Sequence, residues 1–166
     1  MNRYETHLTL KSSGIEDVAH VGHWAVEHGL KWSLIELASG ETPLQPMLTF
    51  WGEGSVAEQH DRAMTLVQDV AAQRCSINRI KIEADVLNSD VPVSDDGARN
   101  DSTSYFEHHV KLLLSQTSDL EGLCRSAARH QARLSRNARR ERSDGDIERF
   151  ATQRVYRDRQ DYQRAG

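Results

Sequence analysis

Two stretches of the chain place a carboxylate, an imidazole and a third polar group at alternate positions. They are Tyr4-Glu5-Thr6-His7-Leu8-Thr9-Leu10 and Phe106-Glu107-His108-His109-Val110-Lys111-Leu112, which align without a gap. Side chains two apart share one face of a strand, so Glu5, His7 and Thr9 form one polar row and Glu107, His109 and Lys111 form another. The ordinary pKa of histidine lies nearest physiological pH, so two imidazoles on either side of a phosphate can act as general base and general acid. A glutamate two residues earlier can orient each ring and favour its charged form. Thr9 can donate a hydrogen bond to a phosphoryl oxygen, and Lys111 can supply a point charge. Two other readings fit the same side chains. Glu5, His7, Glu107 and His109 make an N2O2 set for a divalent metal, which Lys111 nearby opposes. Alternatively, both histidines are plain half-exposed strand residues.

A third cluster is arginine-rich. Along 133–140, Arg133, Ser135, Asn137 and Arg139 alternate with Leu134, Arg136, Ala138 and Arg140, and Arg149, Gln153 and Arg154 follow on a partner strand. Forked guanidinium groups at Arg136, Arg139, Arg149 and Arg154 suit phosphate or carboxylate recognition. Pairing with Glu141 and Glu148 on a solvated sheet explains them equally well. His20, His23 and His28 fall in one helical pattern and read as a solvated face. Gly52 and Gly54 precede a helix start, where a simple turn is favoured over an anion site. No Walker or dinucleotide fingerprint is present, and no cofactor is expected.

The elements that must hold these groups are legible from period and punctuation. Ser13 with Glu16, Ser55 with Glu58, and Ser118 with Glu121 have capping-box spacing and predict helices over about 14–28, from 56 onward, and about 119–131. The first uses Ile15, Val18, Val21, Gly22 and Ala25 and ends at Gly29; the second uses Val56, His60, Ala63, Val67 and Val70; the third uses Leu120, Leu123, Cys124, Ala127 and Ala128. Strand-like runs occupy 3–11, 30–38, 46–52, 78–85, 105–114, 133–141 and 147–156, with hairpin turns expected at 40–43 and 143–146. The resulting order is βαββαβ followed by βαββ. It predicts an α+β protein of two pseudo-symmetric ferredoxin-like lobes, with antiparallel sheets and a polar cleft between them. The N-terminal lobe is expected over 1–85, a flexible polar connection over 86–103, the C-terminal lobe over 104–157 and a polar tail over 158–166. The doubled heptapeptide and the repeated order of elements point to duplication. Leu8, Leu10, Val110 and Leu112 are then expected to pack against the helices.

His7-Leu8-Thr9-Leu10 resembles the His-hydrophobic-Thr/Ser-hydrophobic motif of the two-histidine phosphoesterase superfamily, bilobal proteins that include the RNA ligase-like cyclic phosphodiesterases. His109-Val110-Lys111-Leu112 is similar to the second copy, with Lys111 where the family has Thr or Ser. The resemblance implies metal-independent cleavage of a cyclic phosphate or phosphodiester, with His7 and His109 in paired acid and base roles.

Bulk properties narrow the classes. With 37% hydrophobic and 28% charged residues, the composition is that of an ordinary globular protein, and no apolar run approaches the ~18 residues that span a bilayer. Neither a signal peptide nor a membrane partner is expected, and the cytoplasm is the expected location. Cys75 and Cys124 lack metal or disulfide spacing and read as reduced thiols. Residues 1–115 hold 9 Lys/Arg against 17 Asp/Glu, and residues 116–166 hold 12 Arg against 8 acids, so −8 and +4 combine to the net −4. The basic C-terminal third suits a small anionic ligand or substrate; nucleic acid is less favoured, and Trp32 and Trp51 are candidates to engage a second subunit in a homodimer. The leading expectation is a hydrolase of a small phosphate-containing or nucleotide-like substrate. Its alternatives are a non-catalytic anion-binding or assembly protein and a metalloenzyme with a His/Glu site.

Overall fold

The computed structural model describes residues 1–12, 14, 16–38, 42–93, 104–115, 117–138 and 147–155, without the side chains of 147, 148, 154 and 155. The chain is mixed α+β, as expected, and its described residues hold three α-helices and seven strands in antiparallel pairing. The strands are β1 (Arg3–Leu10), β2 (Lys31–Leu37), β3 (Leu44–Glu53), β4 (Ile77–Ala84), β5 (Phe106–Leu114), β6 (Ala132–Asn137) and β7 (Ile147–Val155). The helices are α1 (Ala19–Glu27), α2 (Val56–Ala72) and α3 (Leu120–Arg129). Two compact units divide the chain, one of Met1–Ile35 with Leu44–Val91, the other of Glu36–Pro43 with Pro92–Gly166.

In the first unit the strand order is β4-β1-β3-β2, which puts β1 in the interior. Burial along β1 alternates residue by residue, with Tyr4, Thr6, Leu8 and Leu10 inside. Leu8 pairs with Leu48 on one side and Ile80 on the other. Leu8, Leu10, Val18, Val21, Ala25, Leu30, Leu48, Phe50, Ala63 and Val70 form the core, and Trp24, Trp32, Leu66 and Ile80 pack against it. Trp32 is therefore a half-buried core residue rather than an exposed contact surface. A Cβ at position 22 would stand 2.8 Å from Trp32 Nε1, so glycine there lets α1 lie close on the sheet.

Helix boundaries follow the capping chemistry that is actually present. Ser55 and Glu58 form the expected reciprocal box, the Ser55 N–H donating to Glu58 Oε2 at 2.7 Å. Ala63, Val67 and Val70 of the predicted stripe of α2 face the core, joined by Gln59, whereas Val56 is 48% exposed and His60 points out. Gln59 is drawn inward because its Nε2 donates to the Glu53 carbonyl at 2.9 Å. The first helix starts later than predicted. A 3-10 turn, Glu16–Val18, precedes α1, whose N-cap Val18 has no side-chain acceptor, and Ser13 and Ile15 lie outside the described residues. Gly29, with φ +69°, ends it as expected because a residue without Cβ adopts that conformation freely. For α3 the cap is Asp119 rather than Ser118, its carboxylate accepting from Gly122 N–H at 2.8 Å. Both predicted hairpin turns reach into 39–41 and 139–146, outside the described residues.

Residues 86–91 fall in the expected polar connection, and they are fastened to the first unit. Asn88 accepts from the Arg3 N–H at 2.8 Å and donates to the Arg3 carbonyl at 2.7 Å, while the Tyr4 hydroxyl donates to Asp90 Oδ2 at 2.6 Å. Burial of Tyr4 and the neighbouring Asp90 carboxylate both push the phenol pKa above its usual value.

In the second unit the order is β6-β7-β5, and Ala38 N–H donates to the Leu134 carbonyl at 2.9 Å. Leu134 and Ala127 are its buried apolar residues. Val110, predicted to lie under a helix, is 55% exposed, whereas Leu112 is half-buried. The reason is that α3 packs on β6, and the described residues of this unit contain no counterpart of α2 to cover β5.

The core makes two stability predictions. Leu8→Ala should cost about 2–5 kcal/mol in denaturant unfolding, while Val110→Ala stays within about 0.5 kcal/mol. Thr6 is fully buried and its Oγ1 has no hydrogen-bond partner among the described residues, so Thr6→Val should stabilise by about 1 kcal/mol. A destabilised valine variant would show that the hydroxyl is satisfied in solution.

Candidate functional site

The interior position of β1 decides what surrounds His7. Antiparallel register sets His7 opposite Thr49 on β3 and Lys81 on β4, Glu5 opposite Trp51 and Glu83, and Thr9 opposite Met47 and Arg79. Because paired residues share a face, one side of this sheet collects Glu5, His7, Thr9, Thr49, Lys81, Glu83, Arg79 and Trp51. His7 Nδ1 shares a 2.8 Å hydrogen bond with Thr49 Oγ1. On the other side of the ring, Nε2 lies 3.3 Å from Glu83 Oε1 and 3.8 Å from Glu5 Oε1. The His7 side chain retains only 14% of its exposure, and Lys81 Nζ is ion-paired with the same Glu83 oxygen.

Burial by itself would raise the Glu83 pKa. Contacts from His7 and Lys81 outweigh it and hold the carboxyl down at about 2. Glu83 is thus an anion at neutral pH, its oxygen set against His7 Nε2 and the Lys81 ammonium. The donor atoms of Glu5, His7 and Glu83 all lie within 4.8 Å of one another, close enough to share one cation.

The second unit builds a related arrangement from different strands. His109 pairs across with Thr152 on β7, and its Nδ1 is 3.1 Å from Thr152 Oγ1. His109 Nε2 is 3.3 Å from Glu107 Oε2, with Glu107 nearly buried and His109 45% exposed. Lys111 lies two residues further on the same face, opposite Phe150.

The chain matches no protein-family model and no curated protein.

The arginine group fares unevenly. Arg136 is occupied, its Nε and one terminal nitrogen each 2.6 Å from Glu36 Oε2. Arg149 is half-buried on β7 opposite Leu112. Arg139 lies outside the described residues, as does the side chain of Arg154, whose backbone pairs with Glu107. The helical histidines have separate surroundings: His20 Nε2 is 2.9 Å from the Gln73 carbonyl, and His28 stacks on Trp24 with ring centroids 4.5 Å apart. Cys75 Sγ stands 3.7 Å from His20 Nε2, and burial, with Asp17 adding to it, raises that thiol pKa, which disfavours a nucleophilic thiolate.

Sequence reasoning found Glu5, His7, Glu107 and His109 but missed Thr49, Lys81, Glu83 and Thr152. Alternation in Ile80-Lys81-Ile82-Glu83 put the two charges on one face, and that signal was available. Which strands flank β1 was not, because pairing across 40 or more residues leaves no local trace.

Glu83 gives a pH prediction. Its folded pKa lies below the ordinary 4.5, so its stabilising contribution is complete above that value and is lost as pH falls toward about 2. The stability difference between the native protein and Glu83→Gln should therefore shrink between about pH 5 and pH 2 in denaturant titrations. A gap that stays constant across that window would remove the proposed ion pairing.

Proposed function

We propose that this protein is a hydrolase of a small phosphate-containing or nucleotide-like substrate, with His7 and His109 dividing the acid and base roles. The observation that carries the proposal is a Thr–His–Glu arrangement built twice. Each ring has Nδ1 against a threonine hydroxyl of the adjacent strand, at 2.8 and 3.1 Å, and Nε2 facing a glutamate carboxylate, at 3.3 Å in both. A ring held by one nitrogen and poised on the other through a carboxylate has the orientation and charge control that proton transfer requires. The substrate class is supported in the first unit by Thr9, Arg79 and Lys81 on the face of His7, which can donate to phosphate oxygens. Duplicated ferredoxin-like lobes and membership of the two-histidine phosphoesterase superfamily belong to this same proposal. The parallel strand orders β2-β3-β1 and β6-β7-β5 support the duplication.

Lys111, in the place that Thr9 occupies in the first row, favours one other reading: capture of an anionic ligand without turnover. Phosphodiesters and cyclic nucleotides offered to the purified protein separate the two. Hydrolysis should fall by about 100- to 10,000-fold in His7→Ala and in His109→Ala, with circular dichroism and unfolding midpoint retained. Thermal stabilisation by the ligand without product would select the binding protein. Turnover unchanged in both variants would end the paired-histidine mechanism.

A further inference from the structure

His7 is bounded on both nitrogens, and the consequence reaches beyond proton transfer. A neutral imidazole has one N–H. When that proton sits on Nδ1 and is donated to Thr49 Oγ1, the Nε2 lone pair is directed at two carboxylates, Glu83 at 3.3 Å and Glu5 at 3.8 Å. Three converging electron-rich atoms can share a cation, in place of or beside the Lys81 ammonium already paired with Glu83. Donor atoms held about 2.0–2.2 Å from a tetrahedral ion are about 3.3–3.6 Å apart; the His7–Glu83 pair meets that spacing at 3.3 Å, and Glu5, at 3.8 Å, would draw in by a few tenths of an ångström. Thr49 supplies the outer-shell hydrogen bond that fixes the tautomer of a ligating histidine. Glu5 and Glu83 side chains retain 33% and 29% of their exposure, so an ion can enter and water can complete its coordination.

We propose that Glu5, His7 and Glu83 form a binding site for a divalent transition-metal ion of the zinc class, lying wholly on β1 and β4. This is a different set from the four ligands that spacing alone suggests, because Glu83 supplies the third donor from within the same unit. One imidazole with two carboxylates suits zinc or cobalt better than magnesium, which prefers an all-oxygen shell. Two carboxylates balance the charge of the ion, and Lys81, ion-paired to Glu83, opposes it. Lys81 thus sets the affinity: the ion must displace or tolerate its ammonium group. An ion seated there occupies the Nε2 lone pair, so metal loading and acid–base use of His7 exclude each other.

The test is calorimetric titration of chelator-treated full-length protein with zinc chloride, followed by cobalt absorption in the visible range as a coordination signature. The proposal expects a saturable site that His7→Ala weakens at least 100-fold, Glu83→Gln at least 10-fold and Thr49→Val about 10-fold, the last by loss of the outer-shell bond. Lys81→Met should tighten binding about 10-fold, an outcome that general surface binding does not produce. Zinc affinity unchanged in His7→Ala and Lys81→Met, or no saturable binding at 1 mM zinc on the order of a weak ~4 kcal/mol site, overturns it. Because binding is read directly, the result stands apart from the hydrolase proposal: zinc that binds without any hydrolysis of phosphodiesters leaves this site intact and removes that function.

Discussion

Burial of one face of β1 is the constraint from which the rest of the first unit follows. Leu8 and Leu10 are almost wholly excluded from water, and they pair with apolar residues of β3 and β4. Burying a leucine side chain is worth roughly 1.5–3 kcal/mol, so the register that puts these residues inside is strongly preferred over a one-residue slip. The same preference is a decision about Glu5, His7 and Thr9. With a period of two, they have nowhere to go but the opposite face, between the polar residues of two neighbours.

A charged row flanked by strands on both sides is expensive unless each group finds a partner. The first unit resolves this by alternating sign and type around His7: a threonine hydroxyl on β3, a glutamate on either side of the ring nitrogen, and a lysine that compensates the carboxylate. The low pKa of Glu83 is the measure of that balance, because burial alone works in the other direction. The His7 ring nitrogen that faces two carboxylates therefore lies in a field of negative charge.

The second unit repeats the local pattern under weaker constraints. Its β5 pairs with β7, and α3 packs on β6, so the apolar positions of β5 are covered less and His109 is more exposed than His7. The Thr–His contact nevertheless recurs at the matching cross-strand position. That contact depends only on the antiparallel pairing of two strands, which both units have.

The sequence by itself determined the elements and the faces. Period-two alternation marked Glu5, His7, Glu107 and His109, and Ser55 with Glu58 marked the start of α2, because those signals are local and each is encoded within a few residues. It misplaced the cap of α3 by one residue, because Ser118 and Asp119 compete for that role, and it began α1 too early, because a 3-10 turn precedes the helix and no side chain caps it. Ala63, Val67 and Val70 were legible as the inward face of α2, but Gln59 was not, since it is buried for a carbonyl supplied by β3. Only the tertiary structure decided that β4 lies beside β1. That pairing brings Lys81 and Glu83 to His7 across more than 70 residues, and no local preference of the chain specifies it; it is selected by the combined burial of Leu8, Leu48 and Ile80 in one core.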